Sequence, residues 1–568
     1  MRKKWILKDI ADRHWAEGLS DIIRTVLAGR GVVDEEDIQE FLSPKPKRTY
    51  DPFLMKDMDK AVDAILEAIA GDTRICVYGD YDSDGVTAIC LLMEFLGKLT
   101  QNLTYYVPSR FVEGYGLNKD AIDIIKRDGV GLIITVDCGS TSYEEVEYAK
   151  ASGIGIIVTD HHNINDRPAQ CILVNPKQQE CLYPFKDLCG CGVAFKLAQA
   201  IQRRTGIDRS HLTGLLDLVA IATIGDIVPL TGENRTMVKY GMEIINQGAR
   251  EGIAVLAAAA GLAKQPIRSY QIAFVIVPHL NAAGRMAEAE AGVRLLTARD
   301  KRSIRDAAAT LVANNTERKR IQEEDFRKCI EIVRRNHESD LFIIIDAENV
   351  HEGIAGIVAG KIKDVYCRPV IVVTASNGDV FLKGTGRSVE GLNIYDMLKS
   401  NSELFIKFGG HAGACGFLMD QANLPELRKN LNKALQELYD GNQELFIDRL
   451  TIDAAISPGD IDMELVRRLE GLEPYGHKNE RPLFMLEKVR LNNVTTMGED
   501  RQHARFSAED LSGSVDCILF NEAAEYSAEL EKGNTVSLAG YPDINNWNGT
   551  TKIQFVVRDI KCYINKVD

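Results

Sequence analysis

The chain has no stretch approaching the ~20 consecutive apolar residues that a membrane-spanning helix needs, which sets membrane-embedded functions aside. It has no Cys-x-x-Cys pair. Cys189 and Cys191 stand two apart with no second Cys or His pair nearby to complete a zinc set, and the twelve cysteines read as reduced thiols. It has no excess of positive charge: 68 Lys and Arg against 82 Asp and Glu give −14, which argues against a broadly basic surface coating nucleic acid. An acidic balance is still compatible with a carboxylate-rich metal site and a narrow basic channel. Internal repeats and low-complexity stretches are missing too. The basic start, Met1-Arg-Lys-Lys-Trp-Ile, is broken by Asp9 and Asp12, and no apolar signal core follows it; a cytoplasmic location is expected.

What is present is ordinary globular chain, 45% hydrophobic and 26% charged over 568 residues. At ~150 residues per domain this suggests roughly three or four domains. A helical piece is expected at 1–48, closed by the connector Ser43-Pro-Lys-Pro-Lys-Arg48. Strands then alternate with helices: 74–78, 103–107, 132–136 and 154–159 are short apolar runs, and 86–99, 119–127 and 143–151 are helical. Continuous apolar strands between helices predict a parallel sheet covered on both faces. Further helices at about 192–203, 212–224 and 234–247 extend this unit to 49–250. A helical connector is expected over 251–338, including a long charged helix from about 300 to 336. A smaller α/β unit follows over 339–440, with strands at 341–345 and 369–373 around a helix at 353–363. From 441 to 568 short alternating segments and the turn signal Asn545-Asn-Trp-Asn-Gly549 predict a small antiparallel barrel or sandwich.

The chemistry gathers at three strand ends. Strand 74–78 runs into Gly79-Asp80-Tyr81-Asp82-Ser83-Asp84-Gly85, strand 132–136 ends at Asp137-Cys138-Gly139, and strand 154–159 ends at Asp160-His161-His162. In an open parallel sheet all carboxyl ends lie along one edge, where ligands bind. A single Asp at such a place is ordinarily a helix cap. Three loops carrying Asp-x-Asp-x-Asp, Asp-Cys-Gly and Asp-His-His would crowd carboxylates and imidazoles at a cost that a divalent metal pair relieves. Mixed carboxylate and imidazole ligation suits Mn²⁺, with Mg²⁺ the other candidate. Two such ions ~3.5–4 Å apart suit in-line attack on a phosphodiester. Asp226, in Gly225-Asp-Ile-Val-Pro229 after an apolar helix, is either a further ligand or a helix-terminal turn; alone the two readings are balanced.

Asp80-Tyr-Asp-Ser-Asp-Gly85, Pro108-Ser-Arg110 with Gly114-Tyr-Gly116, Asp137-Cys-Gly139 and Asp160-His-His162 together resemble the successive motifs of the DHH phosphoesterase superfamily. Within it the chain resembles the bacterial RecJ family of single-strand-specific 5′→3′ exonucleases. Gly225-Asp-Ile-Val-Pro229, Leu280-Asn-Ala-Ala-Gly-Arg-Met286, Gly384-Thr-Gly-Arg-Ser388 and Gly409-Gly-His-Ala-Gly-Ala-Cys-Gly416 support this. The likeness runs in order from about 50 to 420, and the tail fits that family's oligonucleotide-binding (OB) barrel.

The resemblance implies a metal-dependent exonuclease of DNA repair and recombination that releases 5′-mononucleotides from single-stranded DNA. It implies Asp80, Asp82, Asp84, Asp137, His161 and Asp226 as ligands of two Mn²⁺ or Mg²⁺ ions, Asp137 bridging, with Asp160 and His162 in the same centre. It places Arg110, Asn281, Arg285, Thr385, Gly386, Arg387 and His411 on the substrate. The Gly384-Thr-Gly-Arg387 stretch reads as a glycine loop whose N–H groups and arginine grip a phosphate. Thr385 and His279 replace the family's more usual Ser and Arg. A cleft spanned by the 300–336 helix would admit one strand and reject blunt duplex. In the tail, Tyr541 and Trp547 are more often packed on their own barrel than stacked on bases, and Arg501, Arg505 and Lys552 are by default solvated surface. Single-stranded DNA is the expected partner, a helicase and a single-strand-binding protein being further ones. The rivals are a DHH phosphodiesterase of short oligoribonucleotides or cyclic dinucleotides, and a non-catalytic replication-associated binding protein.

Overall fold

The computed structural model describes residues 3–9, 20–110, 113–114, 116–164, 167–262, 266–286, 289–347, 349–376, 380–547 and 550–562. The chain forms two compact units. The larger contains most of residues 5–278, residues 292–308, and everything from 450 onward. The smaller is built mainly from 279–291 and 309–449.

In the larger unit, a five-stranded parallel sheet has the order Leu103–Tyr106, Ile75–Gly79, Leu132–Val136, Gly155–Thr159, Ile172–Val174. The fifth strand, Ile172–Val174, was not foreseen in the sequence. Every residue of Ile75–Gly79 and Leu132–Val136 is buried, as expected of apolar strands covered on both faces. The strand order reverses between these two. Their carboxyl ends therefore diverge around a crevice, and Asp80 and Asp137 stand at its mouth. Helix Ser83–Leu96 packs against helices Gly190–Thr205 and Leu216–Gly225, which lie behind the site. The segment expected at 212–224 is in fact two helices, Ser210–Thr213 and Leu216–Gly225.

The tail is a closed barrel. Strands Phe484–Met497, His503–Asp510, Gly513–Leu519, Thr550–Cys562 and Thr535–Trp547 pair in that order, and Thr535–Trp547 returns to Phe484–Met497. One pair, Gly513–Leu519 with Thr550–Cys562, is parallel, so the barrel is not purely antiparallel as its sequence suggested. Closure removes the strand edges that would otherwise template further pairing. The N-terminal helices Asp21–Ala28 and Glu35–Leu42 belong to this core. Ile23, Val26, Leu27, Ile38 and Phe41 cluster with Leu469, Phe484 and Leu486. They therefore share the barrel's packing.

The smaller unit carries a five-stranded sheet ordered Phe405–His411, Ala414–Asp420, Phe381–Arg387, Val370–Ser376, Ile343–Asp346. Period-two alternation divides its core. Ile343, Ile345, Val370 and Val372 meet helix Glu352–Tyr366, while Ile344, Ile371 and Val373 meet Leu427, Leu431 and Leu435 of helix Leu424–Gly441. The long charged segment is one continuous helix, Lys301–Asn336.

The glycine stretch at 384–387 is not a loop. It is the end of the central strand Phe381–Arg387, paired on both sides. Its N–H groups serve the sheet and do not cradle an anion. The glycines are there for space: a Cβ on Gly384 would lie 2.0 Å from the Phe417 ring, and one on Gly386 2.5 Å from Cys415 Sγ.

Candidate metal centre

The first acidic loop turns a buried strand into a buried helix. Asp82 caps helix Ser83–Leu96, its Oδ1 accepting from the N–H groups of Asp84 (2.9 Å) and Gly85 (3.1 Å). Asp84, in the first turn of that helix, is buried and faces the start of another helix, Gly190–Thr205. Its two oxygens accept from Gly190 N–H at 2.6 Å and Cys191 N–H at 2.7 Å. The positive end of that helix thus holds an anion in place. Asp137 ends its strand in the left-handed region, φ 61°, which swings the carboxylate into the crevice. Gly190 lies directly against it, and a Cβ there would stand 2.4 Å from Asp137 Cβ.

Asp160 is the most fully satisfied acid of the group. Oδ2 accepts from Ser140 N–H at 2.9 Å; Oδ1 accepts from the N–H groups of His161 (2.7 Å) and His162 (3.1 Å) and meets His162 Nδ1 at 2.8 Å. Burial opposes its ionisation, yet the bond to His162, that imidazolium's charge and the Ser140 N–H hold it below the usual carboxylate range. His162 is affected in the opposite direction: burial disfavours its cation, but Asp160 raises it to about 9.

The donor atoms of the other groups crowd one another. His161 Nε2 lies 3.1 Å from Asp137 Oδ1, 3.6 Å from Asp226 Oδ2 and 3.8 Å from Asp84 Oδ2. Donor atoms recur in three sets, Asp80–Asp82–Asp137, Asp84–His161–Asp226 and Asp137–His161–His162, each within 4.8 Å. Burial, and then Asp82, lifts Asp84 to about 6 and Asp80 well above the ordinary range. Burial, and then Asp84, lifts Asp226 to about 8 and Asp137 well above its usual value. His161 is pushed down to about 3 by burial and then by His162, so it is a neutral imidazole at pH 7.

A cation fits this arrangement on structural grounds. Asp80 Oδ1, Asp137 Oδ1 and both ring nitrogens of His161 are buried without a hydrogen-bond partner. Leaving such atoms unpaired costs ~1–3 kcal/mol each. A neutral imidazole carries its proton on one nitrogen only, so His161 keeps one acceptor nitrogen among these carboxylates whatever the tautomer. Two donors each ~2.1 Å from one octahedral ion stand about 3.0 Å apart, close to the His161–Asp137 spacing. Oxygen and imidazole donors without sulfur suit Mn²⁺ or Mg²⁺.

Family models match most of the chain in order: "DHH family, N-terminal domain" over residues 74–223, "DHHA1 domain" over 340–437 and "RecJ OB domain" over 452–559. The single-stranded-DNA-specific exonuclease RecJ of Bacillus subtilis is 34% identical over 95% of this chain and 68% of its own length. That of Escherichia coli is 33% identical over 95% and 96%. The chain belongs to the RecJ family. The solved RecJ of Thermus thermophilus in complex with Mn²⁺ superposes with a TM-score of 0.84 at 27% identity, covering 99% of this chain and 80% of that one. Its complex with Mg²⁺ gives 0.77.

Other residues expected in a RecJ-family site are placed as follows. Arg110 lies over the Tyr81 ring, 5.4 Å from its centroid, on the flank of the first acidic loop. Asn281 and Arg285 sit on helix Val277–Met286, Arg285 donating to Gly353 O at 3.0 Å. Thr385 and Arg387 share the sheet face that meets Gly356 of helix Glu352–Tyr366. Through the pairs Arg387–Ala414 and Ala414–His411, exposed His411 is on that same face two strands away. Gly386 points to the opposite face. His279 is buried and bonds Asn315 at 3.1 Å, inside its own unit. Tyr541 is covered by Arg481 at 4.5 Å and Arg558 at 5.4 Å; the Trp547 side chain lies outside the described residues. Sequence reasoning missed Ser140, Gly190 and Cys191, which act through backbone N–H groups. The Cys189-Gly-Cys-Gly192 opening of a helix was the available signal.

Proposed function

We propose that this chain is a divalent-metal-dependent exonuclease that degrades single-stranded DNA 5′→3′ to 5′-mononucleotides, acting in repair and recombination in the cytoplasm. The observation that carries the reading is the set of buried, unpartnered acceptors at Asp80, Asp137 and His161 on the carboxyl edge of a parallel sheet, in a RecJ-family chain.

Asp80, Asp82, Asp84, Asp137, His161 and Asp226 would hold two Mn²⁺ or Mg²⁺ ions, with Asp137, common to two of the donor sets, shared between them. Bound there, the ions supply Lewis acidity toward a phosphodiester and an acidified water. Asp84, fixed by two N–H groups, and Asp137, fixed by its backbone and Gly190, set the geometry. Asp160 holds His162 as a cation, placed to steady negative charge growing on the scissile phosphate. Arg110, Asn281 and Arg285 take backbone phosphates. Arg387 and Thr385, with His411 across the sheet, take the terminal 5′-phosphate; rigid strand geometry, not a glycine loop, aims them. A helicase and a single-strand-binding protein would supply and protect the strand. The domain limits we favour are 1–48, 49–250, 251–338, 339–440 and 441–568.

Digestion of single strands labelled at either end, with Mn²⁺, tests the proposal. Label at the 5′ end should appear at once as mononucleotide, EDTA should stop the reaction, and blunt duplex should resist. Release beginning at the 3′ end would refute the polarity. Activity indifferent to EDTA would refute the metal chemistry, and no hydrolysis of any strand would favour a binding scaffold.

A further inference from the structure

Asp226 reaches the metal centre from the end of helix Leu216–Gly225, with its own N–H bonded to Ala222 O at 2.8 Å. The backbone immediately after it is unusual. Ile227 is β-branched, 69% exposed, and held at φ 58°. Such a conformation costs of order 1–3 kcal/mol and persists only where surroundings impose it. Three residues just downstream are firmly tied. Asn234 Nδ2 donates to Pro229 O at 3.0 Å and to Asp187 O at 2.6 Å. Leu230 N–H donates to His477 O at 2.8 Å, and the Leu230 side chain is buried under Gly476, where a Cβ would lie 2.6 Å from Leu230 Cδ1. Arg235, buried, donates to Glu473 O at 2.9 Å.

His477, Gly476 and Glu473 belong to the region matching the OB domain, and the loop they form is stiff. Asn479, fully buried, donates to Leu472 O (2.9 Å) and Pro474 O (2.8 Å). Gly476 and Asn479 exchange backbone bonds at 3.0 Å, and Tyr475 OH donates to Leu469 O. We infer that the barrel loop 472–479 is a buttress for the metal centre: by clamping Leu230 it holds the strained turn at Ile227 and so positions Asp226. Asn234 extends the clamp, because Asp187 leads into Leu188-Cys189-Gly190-Cys191, whose N–H groups hold Asp84. In this view the OB domain helps to set metal affinity as well as carrying any role in binding DNA. Leu230, Asn234 and Gly476 are positioning residues, and the inference rests on the metal centre proposed above.

The test is direct Mn²⁺ binding to the full chain, read from the free-ion electron paramagnetic resonance signal, alongside anisotropy of a labelled single strand in EDTA. Gly476→Ala, which drives a methyl into Leu230, should weaken Mn²⁺ binding about tenfold, in line with the 10–100-fold seen when supports of metal ligands are lost. Leu230→Val, one methylene smaller, should weaken it about threefold, and Leu230→Met should match the unaltered chain. Strand affinity in EDTA should move by less than twofold in all three. If Gly476→Ala does not fold, the Leu230→Val and Leu230→Met pair decides the matter. Folded variants with unchanged Mn²⁺ affinity, or a loss of strand affinity equal to the loss of metal affinity, overturn the buttress. Failure of the unaltered chain to bind Mn²⁺ would instead overturn the metal centre itself.

Discussion

Gly190→Ala is the sharpest test of how the centre is assembled. The added methyl would stand 2.4 Å from Asp137 Cβ, 2.6 Å from its Oδ1 and 2.7 Å from its Cα. Carbon atoms settle at ~3.5–4.0 Å, so the two segments must part by about 1 Å. Neither yields cheaply: Asp137 ends a wholly buried strand, and Gly190 begins a helix whose first N–H groups are bonded to Asp84. Overpacking of this kind costs ~1–3 kcal/mol in stability. A displacement of ~1 Å at reacting groups can cost about 100-fold in rate. The expected outcome is therefore a folded protein with a lower Tm, a raised Mn²⁺ requirement and a turnover on single-stranded DNA reduced about 100-fold at saturating Mn²⁺. Gly192→Ala is the matched control. Its methyl would meet Leu188 Cβ at 3.4 Å, an ordinary contact, and turnover should be unchanged. Turnover within threefold of normal for Gly190→Ala would show that the Asp137–Gly190 contact does not set the site.

Asp137→Ala should abolish hydrolysis, by more than ~10³-fold, while circular dichroism still reports a folded chain; residual turnover above that level would remove Asp137 from the reaction. Arg387→Ala should reduce the preference for 5′-phosphorylated over 5′-hydroxyl strands, measured as the ratio of kcat/KM values, with little change in kcat on long phosphorylated strands; an unchanged ratio would place the 5′-phosphate elsewhere. Without metal, stability should fall as pH rises. Asp84 and Asp226 are lifted to about 6 and about 8, above the ~3.9 of an unfolded aspartate, so their contribution is complete below pH ~4 and is lost as pH climbs through those values. Because Mn²⁺ requires ionised carboxylates, the Tm gain on adding it should grow from pH 5 to pH 8, and a flat or falling gain would contradict the electrostatics.

The catalytic sheet was legible because its strands are short, apolar and punctuated. Residues 132–136 cannot be read as a helix between two turn signals, and the acids follow at once. Asp226 was ambiguous because its signal is a single acid after an apolar helix, and the neighbours that give it company, Asp84 and His161, come from remote parts of the chain. The supports of the site were harder to read for a different reason. Gly190, Cys191 and Ser140 contribute N–H groups that every residue type but proline possesses, so nothing in their side chains marks them. Gly384-Thr-Gly-Arg387 misled because glycine signals both turns and close packing. The ring of Phe417, 33 residues further along the chain, decides which, and local sequence does not contain it. The barrel's closure and its sharing of a core with helices Asp21–Ala28 and Glu35–Leu42 depend on similarly remote pairings.

The left-handed backbone at Asp137 narrows what can replace it. Among residues with a side chain, aspartate and asparagine tolerate that conformation best, so the position selects for backbone and for charge together. Asparagine alone keeps the first while surrendering the second, which makes Asp137→Asn the cleaner inactive protein for trapping an uncut strand. Alanine there would report a mixture of lost chemistry and a bent main chain.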